Sequence, residues 1–367
     1  MAWHSGRVPQ ITRSQTRRLT SGFGAILVSL LALSACAGDP EVIQSTDDPT
    51  TVYPTVVVEK SAPPEVVLPP VWPLTGIEGE IAQRPALSVK IENSSQARPQ
   101  TGIELADVVW EQLIEGGETR FNAVFHSQLP AEVGPIRSVR PMDAGIAAPL
   151  GGLIAFSGGQ APFVAAVRDA GLQVLSNDQG ADGMYRTSNR RAPHNVYGDP
   201  SVFLAGADAT RAVPPPQQFL FAPTAAEASA VVGGSPATSL VPSFPASKPS
   251  WTWDEASGKW LRFERGAPAT VATGAQLGST NVVMIKVNLV DTGTKDPIGT
   301  TVYETVMVDS GEAIVATGGK IISGTWSKTA DNAPMVLTAL DGSPITLAPG
   351  NTWVEMVPNV GGSIAVS

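Results

Sequence analysis

The chain contains one cysteine, Cys36, and only three histidines in 367 residues. A single thiol can form neither an internal disulfide nor a multi-cysteine metal cage, so stability must rest on ordinary packed cores. No G-x-S-x-G elbow, P-loop or H-E-x-x-H helix occurs, which removes the common signatures of serine hydrolases, nucleotide hydrolases and zinc proteases. Positive charge is scarce as well. The net charge is −9, and residues 1–35 hold four arginines and no acid, so the remainder carries −13. That balance excludes wrapping of nucleic acid, which needs clustered positive charge, and adhesion to anionic lipid heads. A long apolar run is missing too, since residues 23–33 are too few to span a bilayer as a helix.

What is present begins with Arg7, Arg13, Arg17 and Arg18, then that short apolar stretch, then Leu33-Ser34-Ala35-Cys36. A basic start, an apolar middle and small residues before a cut describe an export signal. Leu-Ser-Ala-Cys matches the lipobox that places diacylglycerol on the cysteine sulfur. Residues 1–35 therefore read as a lipoprotein signal peptide, with lipidation at Cys36. The expected address is the cell membrane, lipid-anchored on the extracytoplasmic face, with the acyl chains as the membrane partner. A free buried cysteine after an uncleaved anchor is the alternative.

Residues 36–71 are rich in Pro, Thr, Val and acids, which favours an extended tether. The remaining chain, at 43% hydrophobic residues and a mean hydropathy of +0.07 overall, is globular in composition. The expected class is α+β, with a mixed α/β-sheet N-terminal domain over 72–212 followed by a β-rich C-terminal domain over 241–367. Residues 213–240 connect them, with a short helix. Strand-like runs fall at 87–91, 108–114, 120–127, 136–139 and 153–156, and helix-like ones at 161–170, 200–209 and 224–232. After residue 241, apolar alternation at short intervals, with Trp251, Trp253, Trp260 and Phe263 about one turn, reads as strands.

Gly116-Gly117 between two strand-like runs predicts a two-residue hairpin, since both residues tolerate positive φ. In that register Leu113 faces Arg120 and Glu111 faces Asn122. One face then carries Val108, Trp110, Phe121, Ala123 and Phe125, and the other gathers Glu111, Glu115, Arg120, Asn122 and His126. Surface ion pairs on a solvated sheet face, at about 0–1 kcal/mol each, would give the same pattern.

Two further groups follow: Arg137, Arg140 and Asp143 after the Gly134-Pro135 turn, and Arg190, Arg191, His194 and Asn195 in a loop-like stretch. Residues 84–211 hold ten arginines and one lysine, whereas residues 248–367 hold two arginines and six lysines. The arginine fork suits carboxylate or phosphate oxygens, so an anionic ligand is expected. Coding bias toward arginine is the plainer explanation, and the lysine-rich C-terminal half weakens it. Ser157-Gly158-Gly159 before a helix could also cradle an anion, although a capped turn explains it equally. His126 and His194 with nearby acids have no metal-ligand spacing, so neither metal nor cofactor is expected. Glu111 and Glu115 would stand about 13–14 Å apart along one strand, a poor pair for a glycosidase.

Several of these segments resemble the YerB-like lipoproteins, the DUF3048 family. The likeness runs through Ala97-Arg98-Pro99-Gln100-Thr101-Gly102, Ala106-Asp107-Val108-Val109-Trp110-Glu111 and Glu115-Gly116-Gly117-Glu118-Thr119-Arg120-Phe121. It continues through Gly134-Pro135-Ile136-Arg137-Ser138-Val139-Arg140, Arg191-Ala192-Pro193-His194-Asn195, Gly324-Thr325-Trp326-Ser327-Lys328 and Leu347 to Trp353, and so covers roughly residues 72–358. The resemblance implies a two-part α+β architecture with a lipid anchor, and it implies no reaction.

Three functions are compatible with these residues. The first is recognition of an anionic cell-envelope component through an Arg/Glu/His pocket. The second is an envelope enzyme acting on phosphate or glycan linkages, by analogy with phosphotransferases of the LytR-CpsA-Psr type. The third is a protein-docking scaffold, which exposed tryptophans in the C-terminal part would support.

Overall fold

The computed structural model describes residues 69–367. The signal segment, Cys36 and the tether up to residue 68 lie outside the described residues. Alternation builds the first strand: in β1 (Leu87–Glu92), Leu87, Val89 and Ile91 face one side while Ser88, Lys90 and Glu92 face the other. It is followed by β2 (Val108–Leu113), β3 (Thr119–Phe125), helix α1 (Asp143–Ala147), β4 (Leu153–Phe156), α2 (Ala161–Asp169), β5 (Gln173–Ser176) and α3 (Pro200–Ala205). Strands β2, β3 and β1 are antiparallel neighbours, whereas β4 and β5 continue beside β1 in parallel through the α2 crossover. Helix α3 starts where Asp199 Oδ1 accepts from the Ser201 amide at 2.8 Å, with Pro200 in its first turn.

The sheet does not stop at β2. Strand Thr352–Pro358 pairs with β2 in parallel, from Val108↔Thr352 to Glu111↔Glu355. Beyond it lie Asn281–Val287, Ser310–Thr317, Lys320–Ser327 and Val336–Ala339, so one eleven-stranded sheet draws on both halves of the chain. A smaller sheet of Ser239–Ser243, Pro249–Asp254, Lys259–Glu264 and Ser363–Val366 covers one face. Its Leu240, Trp251 and Trp260 pack with Val109, Phe121, Ala123 and Trp353. We call this the inner face. On the opposite, outer face, Met142, Ile146 and Leu150 pack on Val108, Trp110 and Val124, and α2 joins through Phe163 and Val167 with Ile154 and Phe156. Each such side chain, fully buried, contributes about 1.5–3 kcal/mol.

The α+β class holds, with most of the helix in the N-terminal part and strands dominating after residue 235. Three local expectations change. Residues 136–139 are not a strand: Ile136 makes a single bridge to Ile91, and Pro135 has no amide to extend the pairing. The helix expected over 200–209 ends at Ala205, where Gly206 follows, and 224–232 divides into a 3-10 turn (Ala225–Glu227) and a short helix (Ser229–Gly233).

The hairpin differs in a way that matters more. Ile114 donates to the Glu118 carbonyl at 2.8 Å, so the loop has three residues, Glu115-Gly116-Gly117, with Gly116 and Gly117 at φ 73° and 80°. Three loop residues instead of two shift the register by one and turn every side chain of one strand to the other face. Leu113 therefore pairs with Thr119, Gln112 with Arg120, and Glu111 with Phe121. The expected face joining Glu111 to Arg120 and Asn122 does not form. Glu111 goes to the inner face, while Arg120 and Asn122 stay on the outer one.

Candidate functional site

The outer face at the open end of β1 and β3 gathers most of the predicted cations. Glu92, the last residue of β1, lies directly across from Arg120 on β3, so the two share a face. The segment after β3 returns along β1, where Glu92 donates to the Pro135 carbonyl and Arg137 to the Lys90 carbonyl, at 2.9 and 2.8 Å. That run sets Arg137 Nε 3.3 Å from Glu92. Arg140, three residues on, forks onto Glu115 of the hairpin loop at 2.5 and 2.6 Å. His194 reaches in from the 187–195 loop, with Nδ1 2.8 and 2.9 Å from the two oxygens of Glu92.

Arg120 is the unusual member. It is 4% exposed, and among the described residues its guanidinium makes one hydrogen bond, from Nη1 to the Ser138 carbonyl at 2.8 Å, while Nε is buried without a partner. Burial, reinforced by the neighbouring Arg140 and Arg137 charges, pushes its pKa down to about 9. Three guanidiniums against two carboxylates leave one positive charge unbalanced. Such an arrangement can accept the oxygens of an anion.

The other predicted residues have different places. Asp143, at the start of α1, is fully buried beneath the cluster and holds Lys90 Nζ at 2.7 Å, Asn122 Nδ2 at 3.1 Å and Gln112 Nε2 at 3.3 Å. Burial pushes Lys90 down to about 8, against the pull of Asp143. This network fastens α1 to the sheet. Arg190 donates to the carbonyls of Gln96 and Pro99 at 2.8 and 2.6 Å, and Asn195 donates to the Thr187 carbonyl at 3.0 Å and accepts from Arg186 at 2.8 Å. Both hold the loop that presents His194, and Arg191 is exposed. His126 is not in the cluster. It sits about 20 Å along β3 from Arg120, edge-on to Trp72 at 5.1 Å, with burial pushing its imidazole down to about 4.

Glu111 belongs to a second centre, on the inner face. Arg262 from the small sheet bonds Glu111 at 2.7 Å, Glu264 at 2.6 Å and Glu355 at 2.9 Å, and it lies 4.7–5.5 Å from the ring centres of Trp353, Trp251 and Phe121. Trp251 Nε1 donates to Glu355 at 2.8 Å and Thr119 Oγ1 to Glu111 at 2.6 Å. Burial and the adjacent Glu111 raise Glu355 well above the usual carboxylate range. Asn93, next to Glu92, donates to Glu111 at 3.4 Å and links the two centres.

Glu92, Asn93, Lys90, Arg262 and Glu355 did not emerge from the sequence as site residues. The usable signal was a charge at the polar position of an apolar strand, as in Leu87-Ser-Val-Lys-Ile-Glu92 and Thr352-Trp-Val-Glu-Met-Val357. The tryptophans whose exposure would have supported a docking surface are buried, with Trp251 and Trp326 both 0% exposed. Two clefts of about 780 and 650 Å³ are lined by residues other than these arginines, and the first is rimmed by Asp169, Glu304 and Asp331. Among the described residues no three His, Cys, Asp or Glu gather as a metal cage would.

Comparison with known proteins adds a family and a fold. Residues 74–213 match the model described as "Protein of unknown function (DUF3048) N-terminal domain", and residues 240–354 match its C-terminal domain. The chain is 25% identical over 318 residues to "Putative lipoprotein YerB" of Bacillus subtilis (strain 168), covering 82% of this chain and 90% of that protein. The crystal structure of YerB protein from Bacillus subtilis superposes with a TM-score of 0.67 at 22% identity, over 80% of this chain and 99% of that one, a likeness of fold.

Proposed function

The chain belongs to the DUF3048 family, whose description assigns no role, and on that premise we propose that it binds an anionic cell-envelope component through Arg120, Arg137 and Arg140, with His194 beside them. One observation carries this reading: a buried guanidinium with an unpartnered Nε, crowded by two like charges. Holding a cation out of water in that state costs several kcal/mol, which a bound anion would offset. Glu92 pairs with Arg137 and Glu115 with Arg140, and phosphate or carboxylate oxygens would complete the coordination of Arg120.

The test is calorimetric titration with inorganic pyrophosphate at low salt. Arg120→Gln is expected to weaken binding at least tenfold, since hydrogen bonds to charged groups contribute about 1.5–3 kcal/mol each. Equal affinity in the parent, Arg120→Gln and Arg137→Ala proteins would overturn the assignment.

The anchor is the second part of the proposal. Lipid attached at Cys36 would hold this surface at the extracytoplasmic face of the cell membrane, and support comes from the Leu-Ser-Ala-Cys sequence and from the lipoprotein name of the Bacillus relative. Labelled palmitate should enter the parent chain and not Cys36→Ser. Label in both would refute anchoring at that cysteine.

A further inference from the structure

His194 is held more firmly than a loop histidine needs to be. Its Nδ1 meets both oxygens of Glu92, and Glu92 is itself fixed by Ser94 Oγ at 2.8 Å and by Arg137. The backbone around it is pinned as well: its amide donates to the Arg191 carbonyl at 3.0 Å, and Arg137 Nη1 donates to the Pro193 carbonyl at 3.4 Å. In the neutral imidazole a carboxylate on Nδ1 fixes the proton there and leaves the Nε2 lone pair free. The side chain is 22% exposed, and among the described residues Nε2 has no hydrogen-bond partner.

We propose that His194, oriented by Glu92, is the proton-accepting residue of a phosphodiester hydrolase whose substrate phosphate sits on Arg120 and Arg137. This rests on the anion-binding reading above. A diester is the fitting class because its single negative charge matches the one positive charge left over by three arginines and two glutamates. In the step, a water oxygen forms a bond to phosphorus while Nε2 takes the water proton. The bond from phosphorus to the leaving alkoxide breaks, and the alkoxide departs with the electron pair. The imidazolium returns its proton to that alkoxide, giving a phosphomonoester and an alcohol with neutral His194 restored. Arg120 and Arg137 hold the non-bridging oxygens, where charge accumulates.

Bis(p-nitrophenyl) phosphate is the probe, with release of p-nitrophenolate followed across pH. In His194→Asn the amide can still donate to Glu92 as Nδ1–H does, but nothing remains at the Nε2 position. Turnover should fall by about 10²–10⁴-fold and the acidic limb of the pH profile should vanish. His194→Gln serves as a second variant, and thermal midpoints identify any that fold poorly. Pyrophosphate binding without hydrolysis by the parent chain, or full turnover in a folded His194→Asn, overturns the hydrolase and leaves the binding site standing. Absence of both binding and turnover removes the anion site itself.

Discussion

Two faces of one sheet use the same residue types to opposite ends. On the inner face one arginine, Arg262, is surrounded by Glu111, Glu264 and Glu355, with Arg98 3.6 Å from Glu264. Three carboxylates against two guanidiniums leave one negative charge, and Glu355, raised well above the usual carboxylate range, is the group placed to take up a proton that would cancel it. On the outer face three arginines meet two glutamates, no proton can cancel the surplus, and Arg120 keeps an unpartnered Nε. The inner charges close among themselves and hold structure together. The outer charges do not, which is why the outer cluster, and not the more deeply buried one, is the candidate site.

That contrast breaks first at Arg262. Arg262→Met keeps the volume and the contact with Trp251, Trp353 and Phe121 but leaves three carboxylates without their common cation. Removing one partner of a buried ion pair costs about 3–5 kcal/mol. Urea denaturation should show a loss of that size, with pyrophosphate affinity unchanged at temperatures where the variant is folded. A loss below about 1 kcal/mol would mean that the aromatic cage alone holds the small sheet to the large one.

The inner centre illustrates what the sequence does and does not disclose. Apolar alternation located β1, β2, β3 and the strand that carries Glu355, and the α+β class followed. The hairpin loop could not be read to the residue. Gly116-Gly117 is compatible with two- and three-residue loops, and the choice falls to packing, because only the three-residue loop leaves Glu111 beside Glu355 and in reach of Arg262. Arg262 and Glu355 stand 93 residues apart, and no periodicity announces that they touch. Arg137, Arg140 and His194 were legible as chemistry, and Glu92 was not, because its partners arrive from three separate segments.

A proton sharpens the comparison. Unfolded, the Glu355 carboxyl titrates near its ordinary value, and folded, it titrates well above that value because of burial and Glu111. Between the two, the folded chain holds a proton that the unfolded chain has lost, so stability from this site is full below the ordinary range and falls as pH rises toward the folded value. In Glu355→Gln the amide nitrogen can donate toward Glu111 and the carbonyl can still accept from Arg262 and Trp251. Denaturation midpoints of the parent and variant should coincide at acidic pH, and the variant should become the more stable as pH rises. Parallel curves would show that Glu355 is ionised and that the inner charges do not close.

The smallest loss of stability is expected where the chemistry matters most. Arg120→Leu removes a cation repelled by Arg137 and Arg140 and leaves both glutamates with their partners, Glu92 on His194 and Arg137, and Glu115 on Arg140. The Ser138 carbonyl loses one donor, worth about 0.5–1.5 kcal/mol, while a buried leucine regains a similar amount of apolar contact and the like-charge repulsion disappears. Because the burial cost of the guanidinium disappears with it, urea denaturation should show no loss of stability and a gain of up to a few kcal/mol, although pyrophosphate affinity falls by the same factor as in Arg120→Gln or more. If Arg120→Leu instead destabilised the chain as much as Arg262→Met, Arg120 would be a structural arginine like its counterpart. The outer cluster would then lose its distinction from the inner one.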